Sequence, residues 1–70
     1  MDNNAPADVV VIITRSSHPE FAYFVDVRTG ARQITSRRYN AEVDVQGFTM
    51  GVVSAAHARD MLVEIRDERR

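Results

Sequence analysis

Residues Val9–Arg15 read VVVIITR, and this stretch decides the fold class. Five consecutive β-branched aliphatics open it. Branching at Cβ restricts χ1 and suits a pleated surface better than a helix. A run that is apolar at every position, rather than at alternate ones, is the pattern of a strand covered on both faces. It is therefore expected to lie centrally in a sheet or at a dimer seam. The aliphatic inventory agrees: Val occurs ten times and Ile four times, against a single Leu, Leu62. A helical bundle of this size would draw on Leu, so a mainly β domain is expected.

Downstream, Ser16–Glu20 (SSHPE) is expected as a loop, because Pro19 lacks an amide donor and pushes His18 toward extended geometry. Phe21–Arg28 and Ala31–Tyr39 then read as a hairpin closed by Thr29-Gly30. On that two-residue loop Arg28 pairs with Ala31 and Val25 with Ile34. Phe21, Tyr23, Val25 and Ile34 share the core face. Ala22, Phe24, Asp26, Gln33 and Thr35 take the other, where Phe24 is the one aromatic among mostly polar neighbours.

Past Arg37–Asn40 (RRYN), Ala41–Val45 and Phe48–Val53 both alternate and are read as strands about Gln46-Gly47, the second with a competing reading as the start of the helix. Ser54 to the C-terminus is read as a helix, with Ser54 as N-cap and Ala55, Ala58, Met61, Leu62 and Ile65 in one apolar arc. Upstream, Met1–Asp8 (MDNNAPAD) lacks periodicity and is expected to be a disordered tail. The expected organisation is thus a tail over 1–8 and a single domain over 9–70. Its class is α+β: a small antiparallel β-sheet of three to five strands packed against one C-terminal α-helix.

Composition narrows the function classes. Nine basic residues, all Arg, offset ten acidic ones, so the net charge is −1. No bulk field draws the chain to DNA or anionic lipid. Cysteine is absent, which removes disulfides, thiolate metal sites and cysteine nucleophiles. Met1–Asp8 has no basic n-region of a signal peptide. The run Val9–Ile13 is far short of the roughly 20 residues that span a bilayer. A cytoplasmic location without membrane association is expected.

No catalytic, cofactor-binding or metal-ligating residue is expected. Ser17 and His18 are adjacent, and in an extended segment their side chains point to opposite sides. His57 and Asp60 sit three apart, but a structural zinc needs four ligands and the other imidazole, His18, lies in a distant loop. The three glycines never approach a phosphate-cradling spacing.

What remains is a surface. Phe24, Arg28, Arg32, Arg37, Arg38 and Tyr39 cluster on the hairpin, and Arg and aromatic side chains are the types that anchor protein interfaces. The apolar run, Phe24 and the Met61/Leu62 arc together exceed what one small helix covers, which favours an interface. A chain this short buries only about 60% of its unfolded surface, so self-association is a common remedy. The leading expectation is a small protein-binding regulator or inhibitor, also a homodimer, of the kind phages and mobile elements encode. The alternative is a nucleic-acid-binding protein that uses Arg28, Arg32, Arg37, Arg38 and Tyr39 on phosphates and bases. The net acidic balance weighs against it, since the usual footprint is a pI above about 9.

Overall fold

A computed structural model describes residues 7–69. The elements are β1 (Val9–Arg15), β2 (Tyr23–Thr29), β3 (Arg32–Tyr39), α1 (Glu42–His57) and β4 (Val63–Asp67). One four-stranded sheet has the order β3-β2-β1-β4. The pairs β1/β2 and β2/β3 are antiparallel, while β4 runs parallel to β1. The class is α+β, with four strands and one helix in the C-terminal half. The sheet is mixed rather than wholly antiparallel, because α1 carries the chain back across the sheet before β4 begins. No helix among the described residues is long and apolar enough to cross a membrane.

VVVIITR is central, as expected, with a neighbour on each side. Val9, Val11 and Ile13 point to α1 and are buried with Val25, Val27, Val45 and Ala56. Val10 and Ile12 point to the opposite face and stay half-buried. The expectation that both faces of the run are covered is thus corrected: α1 is the only helix among the described residues, and it lies on one side.

The hairpin turns one residue later than the sequence reading placed it. Thr29 pairs with Arg32 around Gly30-Ala31, and Gly30 takes φ 61. The physical reason is the first loop position. Both favoured two-residue turns need positive φ there, which Gly accepts and β-branched Thr29 resists. A bulge follows: Arg28 pairs with Gln33 but Val27 pairs with Thr35, so Ile34 has no opposite number. Val25 therefore meets Arg37, and Ile34 is 56% exposed instead of joining the core.

The largest correction concerns the helix. The strand expected at Ala41–Val45 is α1, Phe48–Val53 takes the competing helical reading as part of the same helix, and the helix expected from Ser54 ends at His57. Alternating Val43/Val45 and Phe48/Met50/Val52 overlap a second pattern, Val45, Phe48, Thr49, Val52 and Ala56, at helical spacing. That second set is the one packed on the sheet. Val43 and Met50 are left 71% and 61% exposed. Docking of this stripe outweighs the low helix propensity of Val and Gly. Ser54 caps nothing. The N-cap position is Ala41, extended at φ −107 and ψ 138 with no side-chain cap, and Glu42 and Asp44 supply negative charge to the first turn.

The helix is stopped by a Schellman-type closure: Met61 N donates to Ala56 O at 2.9 Å and Asp60 N to His57 O at 3.0 Å. Asp60 takes the left-handed position, φ 58. Val63–Asp67, read as helix from the Met61/Leu62/Ile65 arc, is thereby released to become β4. Of the expected N-terminal tail, residues 1–6 lie outside the described residues. Asp8 is tied to the start of β4: its N donates to Leu62 O at 2.9 Å, and its Oδ2 accepts from Leu62 N at 2.8 Å.

Candidate partner-binding surface

Period-two alternation and the observed register fix what the open face carries. In one row across the sheet lie Thr14, Phe24 and Arg38; in the next Arg66, Ile12, Asp26 and Ser36; in the third Glu64, Val10, Arg28 and Gln33. The apolar members of this face are Val10, Ile12 and Phe24, each half-buried, with Asp26 set among them. Its rim is charged.

Asp26 sits near the middle, only 7% exposed. Its Oδ2 accepts from Arg28 Nε at 2.8 Å and its Oδ1 from Gln33 Nε2 at 2.7 Å. These charge-assisted bonds offset the desolvation of the carboxylate. Arg66 Nε donates to Glu64 Oε2 at 2.8 Å. That contact holds Glu64 below the usual carboxylate range and raises Arg66 above its ordinary value. Arg38 is different: its guanidinium stands 5.3 Å from the Phe24 ring centroid. Among the described residues it has no carboxylate partner.

The six residues singled out from sequence divide between two sides. Phe24, Arg28 and Arg38 come together on the open face. Tyr39 and Arg37 lie on the helix side: the Tyr39 ring is 6.0 Å from Phe48, and the Arg37 guanidinium 5.9 Å from the same ring. Arg37 Nη1 also donates to Thr35 Oγ1 at 3.0 Å. Arg32 stands exposed beside the turn, paired with Thr29. The sequence reading missed Val10 and Ile12 as members of the patch. Their signal was parity within VVVIITR, legible only once the helix is known to cover a single face.

A second cluster closes one end of the sheet. Arg69 donates to Asp67 from Nε at 2.8 Å and from Nη2 at 2.6 Å, and from Nη1 to Glu42. Its guanidinium lies 5.3 Å from the Tyr23 ring, and Arg15 Nε donates to its carbonyl at 2.8 Å. Hydrogen bonds to Asp67 and then Glu42 raise the Arg69 pKa further above its ordinary value. This clamp fastens the end of β4 to the first turn of α1.

The two imidazoles stay apart from both clusters. His18 Nδ1 accepts from Glu20 N at 3.2 Å and its ring lies 5.5 Å from Phe21. His57 is exposed in the last turn of α1. Among the described residues no three His, Cys, Asp or Glu side chains are grouped to hold a metal ion. No protein family, curated protein or solved structure matches this chain.

Proposed function

We propose that the chain is a non-enzymatic, cytoplasmic protein-binding module, a regulator or inhibitor that engages its partner through the open sheet face. The observation that carries this reading is the apolar group Val10, Ile12 and Phe24, left half-exposed opposite the helix. A contiguous apolar patch rimmed by polar groups is the usual mark of an interface. Charge selects the partner's chemistry. Asp26 and Glu64 are matched by Arg28 and Arg66, whereas Arg38 is not neutralised. The surface therefore suits a protein that presents an apolar side chain beside a carboxylate.

The test compares the wild-type chain with Phe24→Ala and Arg38→Glu in affinity capture from the native host. Loss of the same partner band in both variants, with unchanged circular dichroism, is the expected result. Capture that survives both substitutions overturns this surface.

The Arg38–Phe24 stack also favours a second reading, because an aromatic ring beside an Arg is a platform on which a base stacks. Salt separates the two. Phosphate contacts make affinity fall steeply with ionic strength, and an apolar interface responds weakly. Anisotropy with short oligonucleotides at low salt decides: tight binding that vanishes near 200 mM salt installs the nucleic-acid reading in place of the first.

A further inference from the structure

We propose that two copies of this chain pair through the free edge of β4, antiparallel and centred on Ile65, to make one continuous sheet. β4 is an outer strand, with β1 on one side and no strand on the other among the described residues. Val9 N donates to Leu62 O at 3.0 Å and Glu68 N to Ile13 O at 2.7 Å, so the even-numbered backbone groups face β1. By alternation the amides and carbonyls of Val63 and Ile65 face outward. Such an edge is a template for another strand unless it is guarded.

The two edges of the sheet differ in how they are guarded. β3 carries the bulge at Ile34 and the cations Arg32, Arg37 and Arg38, devices that discourage pairing. β4 is unbroken, and its charges are complementary to themselves. Centred on Ile65, an antiparallel copy places Glu64 opposite the partner's Arg66, and Arg66 opposite the partner's Glu64. These are non-hydrogen-bonded positions, where opposed side chains approach closest. Glu64 already contacts its own Arg66 at 2.8 Å. Pairing therefore builds a ring of four alternating charges on the open face.

Other registers are disfavoured. Centring on Glu64 sets carboxylate against carboxylate, and centring on Arg66 sets cation against cation. The Ile65 register alone also stacks Ile65, 48% exposed, on its own copy. The symmetry axis is then normal to the sheet, so both helices lie on one side and the open faces of the two copies adjoin. Pairing along this edge does not depend on what the open face binds.

Sedimentation velocity on the full chain, over a concentration series, tests it. The wild type is expected to dimerise. Glu64→Arg or Arg66→Glu alone puts like charges opposite one another and is expected to weaken the dimer about tenfold. The double reversal E64R/R66E restores complementarity and should restore the dimer. Ile65→Pro removes only an outward amide, which an edge strand tolerates, and should give a folded monomer by circular dichroism. Phe24→Ala should leave the dimer intact. A wild type that stays monomeric at every concentration overturns the proposal. So does a dimer indifferent to Ile65→Pro, or one that Phe24→Ala dissolves, which would move the seam to the open face.

Discussion

Asp60 stands where helices usually stop on glycine. Its φ of 58 belongs to the left-handed region, in which an L side chain crowds its own carbonyl. Asp60→Gly is expected to stabilise the domain by up to about 1 kcal/mol, read as a higher urea midpoint at unchanged slope. A lower midpoint would mean that the carboxylate has an essential contact. Asp26 is the opposite case, a nearly buried carboxylate with two donors aimed at it. Asp26→Ala removes the acceptor of both bonds, while Gln33 and Arg28 are exposed enough to be rehydrated, so the expected cost is about 1 kcal/mol, read as a lower urea midpoint. The register that sets Arg28 opposite Ala31 and Val25 opposite Ile34 also sets Asp26 opposite Gln33. The later turn moves their backbones out of register, setting Gln33 opposite Arg28, yet the long Gln33 side chain still reaches the carboxylate.

Among elements, β1, β2 and β3 were legible in sequence to within two residues at either end, because β-branched runs and a Gly turn leave few alternatives. Helix α1 was not. It begins without a side-chain cap and carries Gly47 and Gly51 with five valines and threonines between Val43 and Val53. Its one helical signal, the Val45–Phe48–Thr49–Val52–Ala56 stripe, was masked by alternation of the same residues. The same facts make α1 improvable. Gly51 faces open space, so Gly51→Ala should add about 0.5–1 kcal/mol. Ala41→Asp should add about 1 kcal/mol by capping the first turn. Thermal melts of the two single variants and their combination check both figures, and additivity is expected because the sites are far apart.

At the scale of the molecule, an α+β sheet of a few strands with one helix was legible from composition and periodicity. The parallel return of β4 was not, since a five-residue alternating stretch beside a helix-compatible arc names no neighbour. Half of the candidate surface was visible, in Phe24, Arg28 and Arg38. The rest was hidden because which side of a strand meets solvent depends on where a distant helix lands. If the β4 edge pairs as proposed, stability is linked to association, and the melting temperature should rise with protein concentration. A midpoint flat across a hundredfold range would contradict that linkage.

The Arg69 clamp belongs to the same scale. Arg69→Ala releases β4 from α1, and the expected loss, about 1 kcal/mol for a network of partly exposed ion pairs, should appear as faster unfolding with refolding unaltered.

That kinetic split follows from the topology. The contact between Asp8 and Leu62 spans 54 positions of chain, whereas the β2–β3 turn closes over two. Bringing such distant segments together costs on the order of 3 kcal/mol more in chain entropy than closing a tight turn. On these separations β1, β2 and β3 are expected to pair first, leaving the greasiest strand with one flank bare until a late-arriving neighbour docks. Folding speed is then governed by the hairpins and residence time in the native state by the final strand, so the two ends of the sheet answer to different mutations.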